Sequence, residues 1–223
     1  ERITLVHAVG TIIATVKYND NTPWPLAADG EGFSIVRRNP TLIDEDIDSP
    51  TAWRASAEIH GSPGRDDPSP IGMQVLINEV MARPMPGGVD AIELYNPDPL
   101  PADIGGWFLT DDRNDPRKFR IPLGTLVPAG GYLVLDETMF NATPGGFGYF
   151  GLSAMGEEVF LFSGDAVGSL TGYSHGFTFE ASDLGTTWGR HILSTGSEDI
   201  TQLATPTLEA DNSLPKVGPV VIS

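Results

Sequence analysis

Apolar and polar residues alternate along most of this chain, and a helical period of 3.6 residues is almost absent from windows of twelve or more. Clusters of Gly, Pro, Asp and Asn, such as 96–99 and 143–146, separate the alternating segments and supply turn dihedrals. Many short strands with frequent turns predict an all-β protein, either a sandwich or a barrel. The alternation defines twelve candidate strands: Arg2–Val9, Thr11–Tyr18, Gly32–Arg38, Trp53–Ile59, Met73–Met81, Asp90–Asn96, Gly106–Thr110, Lys118–Ile121, Gly131–Asp136, Glu157–Ser163, Ser169–Tyr173 and Thr186–Ile192.

Two stretches rich in Pro, 61–72 and 205–219, interrupt the alternation, and an apolar strand follows each. The segments around them are similar in pairs: Glu1–Leu5 with Glu157–Leu161, Gly32–Arg38 with Gly185–His191, Ser62–Pro63 with Thr205–Pro206, and Val75–Asn78 with Val220–Ser223. The separations along the chain between the paired segments predict a tandem repeat of about 145 to 155 residues. We therefore expect a fragment of a longer array, divided as follows: the second half of one copy in residues 1–60, a linker in 61–72, a whole copy in 73–204, and a linker with the first strand of another copy in 205–223.

Five motifs in residues 75–134 resemble the lamin tail domain, and specifically its bacterial, secreted branch. They are Val75–Met81, Asp90–Pro97, Ile104–Asp112, Phe119–Pro122 and Val127–Val134. The resemblance continues more loosely through 151–162, and residues 1–60 are similar to the end of a preceding copy. It implies an immunoglobulin-like β-sandwich that serves as an interaction module. In bacteria such domains occur as repeats within large exported or surface proteins, sometimes beside nuclease, phosphatase or spore-coat-kinase-like domains.

The composition limits the kinds of partner that the chain can bind. Thirty Asp and Glu against 13 Lys and Arg give a net charge of -17, which repels phosphate backbones and anionic lipid headgroups. We therefore expect no binding to nucleic acid, including the chromatin role that the family has in animals, and no insertion into a membrane. The absence of Cys excludes disulfides, thiolate metal sites and a Cys nucleophile. Because the chain begins at Glu1, we expect a processed or excised piece of a secreted or cell-surface protein.

The sequence predicts no catalytic residues. The chain has four His but no GxSxG motif, so it offers no recognisable Ser-His-Asp triad. His175 and His191 are 16 residues apart in loosely patterned sequence, which is weak evidence for a zinc site. The turn 128–131 resembles a phosphate loop superficially, but no GxxxxGK[ST] motif is present. Trp107 opens an apolar strand and is predicted to be a core residue.

One loop suits a metal ion. Asp111, Asp112, Asn114 and Asp115 bring oxygen-bearing side chains close together, as calcium requires, although the spacing is not that of an EF-hand. The alternative is a loop in which Asp and Asn bond their own backbone and neighbouring cations neutralise the charge. The acidic segment Asp44–Asp48 has the same two interpretations, a calcium site or a solvated acidic loop. Calcium is the one cofactor that the sequence suggests.

Three classes of function remain. The first is a non-catalytic structural or adhesive module, which would bind a protein or polysaccharide at the cell surface. The second is a carbohydrate-binding or targeting module attached to an exported enzyme, with exposed aromatics such as Trp24, Trp188 or Phe147 on one face. An enzyme in its own right is the third. Half a sandwich also exposes an inner face, which upstream sequence, the neighbouring whole copy or a second chain could cover. Of these we favour self-association of residues 1–60 through apolar side chains: Leu5, Ile13, Val16, Ile35 and Trp53.

Overall fold

The structure, a computed structural model, describes residues 1–41, 46–68 and 74–218. Within these residues the chain is nearly all β-structure, which confirms the predicted fold class. It divides into two compact units. Unit 1 comprises Glu1–Ile71 together with Leu170–Ser174, and unit 2 comprises Gly72–Ser169 together with His175–Ser223.

Unit 1 is built from two antiparallel strand pairs. Its strands are β1 (Arg2–Val6), β2 (Ile12–Lys17), β3 (Ile35–Arg37) and β4 (Trp53–Ala55), with short 3₁₀ turns at Leu26–Ala28 and Pro50–Ala52. β1 pairs with β2, and β3 pairs with β4. A small core is buried around Trp24, Leu26 and Phe33. Residues 61–68 are held to this unit by Asp67, whose carboxylate accepts hydrogen bonds from Arg54 and Ser62.

The β1–β2 hairpin leaves one apolar face in solvent. Ile3 pairs with Val16 and Leu5 with Ala14, so these four side chains share a face, whereas Thr4 and its partner lie on the other. Ile3 is 56% exposed and Leu5 is 58% exposed. Of the side chains predicted for an uncovered face, Leu5 and Ile13 are exposed, and the others are half-buried: Val16, Ile35 and Trp53.

Unit 2 contains the remaining strands, except that the first five residues of β13 belong to unit 1. These strands are β5 (Leu76–Met81), β6 (Ala91–Tyr95), β7 (Ala102–Asp103), β8 (Phe108–Thr110), β9 (Phe119–Arg120), β10 (Leu126–Val127), β11 (Tyr132–Asp136), β12 (Gly156–Gly164), β13 (Leu170–Glu180), β14 (Trp188–Ile192) and β15 (Glu198–Gln202). One sheet has the order β11-β6-β5-β14-β15, and a second has the order β13-β12-β8-β9. β7 and β10 form a separate short pair. A four-residue helix, α1 (Glu137–Phe140), begins at Asp136, whose side chain accepts a hydrogen bond from the Thr138 N–H.

The two larger sheets enclose an apolar core, which makes unit 2 an immunoglobulin-like β-sandwich. Ile92 and Leu94 of one sheet and Leu109 and Leu161 of the other are completely buried. Trp107 is also buried, which confirms its predicted place in the core. Gly106 precedes it with φ +92°, and a Cβ there would lie 2.5 Å from the Asp165 carbonyl oxygen. This close approach explains the requirement for glycine in the turn.

All twelve predicted strands contain a strand of the structure, usually a shorter one. Two strands are longer than predicted: β12 extends by one residue at each end, to Gly156 and Gly164, and β13 continues to Glu180 rather than ending at Tyr173. Three strands and the helix are absent from the prediction: β7, β10, β15 and α1. Val220–Ser223, predicted to begin another repeat, lie outside the described residues, as do Asp44 and Glu45 of the second acidic segment.

Candidate functional site

Two carboxylates lie buried on the outer face of the five-stranded sheet. A bulge at Asn78 shifts the register between β5 and β6, and beyond it Glu79 pairs directly with Glu93. Neither residue is exposed to solvent. Burial raises the pKa of Glu93 to about 7, and the charge of Glu79 adds to this, while hydrogen bonds from Asn78 and the Glu209 N–H oppose it.

The segment that follows β15 crosses these carboxylates. We call residues 205–215 the C-terminal strap. Thr207 donates to Glu79 from its N–H at 2.8 Å and from its hydroxyl at 2.7 Å, and the Glu209 N–H donates to Glu93. The two carboxylates therefore accept hydrogen bonds from the N–H groups of Thr207 and Glu209 in the strap. Buried polar groups on both sides are thereby hydrogen-bonded, as buried polar groups in folded proteins usually are.

Beyond these anchors the strap forms one wall of an open cleft of about 240 Å³. Tyr95 and Tyr132, directly opposite each other on β6 and β11, form a second wall, with ring centroids 5.0 Å apart. The Tyr132 hydroxyl donates to Asp211 at 2.7 Å. Burial, then this hydrogen bond and the Asp211 charge, raise the pKa of Tyr132 far above its ordinary value.

The remaining lining of the cleft comes from β14. Arg190 and His191 face it, and the Arg190 Nε donates to Glu198 at 2.6 Å. The Asn212 amide donates to the Arg190 carbonyl at 2.8 Å and accepts from Asn78 at 2.7 Å. Strap and sheet are thus locked together around the cleft. Sequence reasoning missed this site, although the acidic residues inside two strongly apolar strands were a signal that could have indicated it.

The predicted calcium loop makes internal contacts. The Asp111 carboxylate lies 2.7 Å from the Lys118 Nζ, and the Asp112 carboxylate accepts from the Asn114 N–H at 2.9 Å. The Asp115 carbonyl accepts a hydrogen bond from a threonine hydroxyl at 2.8 Å. This is the geometry of the backbone-bonded alternative. Among the described residues no group of three or more His, Asp or Glu is arranged to hold a metal ion. Calcium binding at this loop stays a prediction.

The other residues singled out from the sequence are dispersed. Trp24 is buried in unit 1, whereas in unit 2 Trp188 is half-buried and Phe147 is fully exposed. His175 accepts a hydrogen bond from the Ile77 N–H at 2.9 Å, and its Nε2 lies 3.8 Å from a carboxylate oxygen of Glu198. No helix in the described part of the chain has the length and hydropathy to span a membrane.

The fold and site define an immunoglobulin-like β-sandwich in which a C-terminal strap is anchored on buried carboxylates. The family model for the lamin tail domain matches residues 68–205, more than half of the chain. The chain therefore belongs to the lamin tail domain family, whose members are immunoglobulin-like structural domains. Comparison with curated proteins and with solved structures gives no match.

Proposed function

We propose that this chain is a non-catalytic interaction and structural module of an exported or cell-surface bacterial protein. In this proposal residues 1–60 are the second half of one lamin-tail-like copy and residues 73–204 are a whole copy. Self-association through the β1–β2 hairpin gives the module an adhesive or spacer role. The net charge of -17 supports a protein or polysaccharide partner over nucleic acid, because a phosphate backbone would be repelled.

The observation that carries the proposal is the order of elements in the two units. In unit 1 a hairpin, β1–β2, precedes a second antiparallel pair, β3–β4. In unit 2 the neighbours β12 and β13 precede a second antiparallel pair, β14–β15. Arg37 lies on β3 and Arg190 on β14, at the positions that the sequence comparison aligned. A Ser-Pro or Thr-Pro dipeptide follows each second pair.

Corresponding strands differ sharply in burial. In β12, Val159–Phe162 are completely or almost completely buried, and β8 pairs with this strand. Every residue of the corresponding β1 is exposed. Covering a large aliphatic side chain stabilises an association by about 1.5–3 kcal/mol. Ile3 and Leu5, with their neighbours on the same face, therefore provide enough apolar surface to hold two copies of the chain together.

Sedimentation velocity over a range of protein concentrations tests this proposal. We expect the native chain to associate and the double variant Ile3→Lys, Leu5→Lys to remain monomeric, because charged side chains on the apolar face oppose its burial. Thr4→Lys is the matched control: it adds a charge to the same strand but on the opposite face, and it should leave association unchanged. A native chain that stays monomeric and binds no dye specific for exposed apolar surface would contradict self-association.

A further inference from the structure

The cleft between the C-terminal strap and the five-stranded sheet has the features of a small binding site. Two tyrosine rings lie beside polar side chains that other parts of unit 2 hold in place. At about 240 Å³ the cleft is smaller than the roughly 300–1,000 Å³ of sites for drug-sized ligands. Its size therefore suits a single compact group, such as one sugar residue of a longer chain.

The aromatic wall can take an apolar face. Tyr95 and Tyr132 are both half-buried, and their rings are inclined by 31°. Pairing of β6 with β11 fixes their backbone positions, and the contact between the two rings and the hydrogen bond from Tyr132 to Asp211 restrict their side chains. The C–H groups on one face of a pyranose ring form an apolar surface that can pack against an aromatic ring.

The polar lining contains charged groups of both signs. Arg190 is the one cation of the lining and is paired with Glu198, whereas Asp211 is the one anion of the lining and accepts a hydrogen bond from Tyr132. Among the described residues, neither the Tyr95 hydroxyl nor the His191 ring has a hydrogen-bond partner. A ligand here meets both hydrogen-bond donors and acceptors, and the guanidinium of Arg190 is already neutralised by Glu198. Neutral hydroxyl groups, which donate and accept, match this lining better than a cation or an anion does.

From this combination of an aromatic wall, hydrogen-bond donors and acceptors side by side, and small volume, we infer that the cleft binds one neutral sugar residue of a saccharide. The inference goes beyond self-association of the hairpin, because the cleft lies wholly in unit 2 and its residues take no part in that contact. The Asn212 bonds to β14 and to Asn78 hold the strap wall in position before a ligand arrives.

Saturation-transfer NMR on the full chain, followed by titration of the tyrosine ring signals, tests the inference. The probes are methyl glycosides of glucose, galactose, mannose and N-acetylglucosamine, together with a tetralysine peptide. We expect at least one glycoside to bind. Tyr95→Ala should weaken that binding by about tenfold through loss of the aromatic contact, and Asp211→Ala should weaken it by a similar factor through loss of an acceptor.

Phe147→Ala is the matched control, because Phe147 is a fully exposed aromatic outside the cleft, and it should bind the glycoside as the native chain does. Asp211 is itself exposed, so its variant keeps the test valid if Tyr95→Ala fails to fold. Three results would overturn the inference: no glycoside binds, binding survives both cleft variants unchanged, or tetralysine shifts the Tyr95 and Tyr132 signals while the glycosides do not.

Discussion

Raising the pH from about 5 to 8 is expected to destabilise unit 2 through Glu93. The pKa of this buried carboxyl is raised from 4.5 to about 7. Below pH 4.5 the group is protonated in both the folded and the unfolded chain, so its full contribution to stability is present. Between pH 4.5 and 7 the unfolded chain loses this proton while the folded chain retains it, and folding is progressively disfavoured. Above pH 7 the contribution has been lost.

The size of the effect follows from the two pKa values. One pKa unit corresponds to about 1.4 kcal/mol, so the difference between 4.5 and about 7 corresponds to a loss of about 3 kcal/mol in the free energy of unfolding. Asp90 contributes in an overlapping range, because burial, and then the charge of Glu137, raise its pKa to about 6. A comparison with a variant that differs only at Glu93 removes the contribution of Asp90.

Glu93→Gln is that variant. A glutamine cannot ionise, so the variant should lose about 3 kcal/mol less than the native chain between pH 5 and pH 8. At pH 5, where the native Glu93 is protonated and also neutral, the variant should have roughly the stability of the native chain, because each of these neutral groups turns one donor of its own toward the Asn78 amide or the Glu209 N–H. Urea-induced unfolding followed by far-UV circular dichroism gives both values. Glu180→Gln, at an exposed position of β13, is the control. Parallel pH profiles for native and Glu93→Gln chains would refute this explanation.

Three further predictions concern other parts of the chain. Gly106→Ala should destabilise unit 2 by more than about 2 kcal/mol in thermal unfolding, whereas Gly130→Ala, with φ +57° and open space around it, should lose only about 1 kcal/mol. Asp67→Ala should destabilise unit 1 by roughly 2 kcal/mol in urea, because it breaks a mostly buried ion pair with an arginine. If the acidic loop binds calcium, the melting temperature should be higher in millimolar calcium than in chelator, and the double variant Asp111→Ala, Asp112→Ala should abolish that rise. Equal melting temperatures in calcium and in chelator would show that the loop is held by its internal hydrogen bonds alone.

Local patterning was sufficient to locate the buried strands. Ile92 and Leu94 alternate with Glu93, and Leu109 and Leu161 lie in short apolar runs bounded by Gly or charged residues. Such segments form strands whatever their partners are, because one face must be buried. β15 lacks such a pattern, because four of its five residues are polar or charged, and it was therefore not predicted. Its pairing with β14 makes it a strand.

The site could not be predicted because its parts are far apart in the sequence. The contact between Asn78 and Asn212 joins residues 134 positions apart, and no local pattern reports such a pairing. Residues 205–219 looked like a linker since Pro and polar residues interrupt any alternation there. In the structure, Glu79 and Glu93 hold residues 205–215 in place, because their carboxylates supply hydrogen-bond acceptors that a linker in solvent would take from water.

The buried carboxylates also account for the position of the cleft. Asp211 follows Glu209 by two residues, and a chain advances by at most about 3.6 Å per residue, so the wall of the cleft cannot move far from its anchor on Glu93. An apolar residue at position 93 would avoid the cost of burying a carboxyl group. It would also leave the Glu209 N–H without its acceptor and remove the anchor of the strap nearest to Asp211 on the Glu93 side. Two acidic side chains in the middle of a β-sheet are therefore explained by the loop that they hold, and through that loop by the cleft.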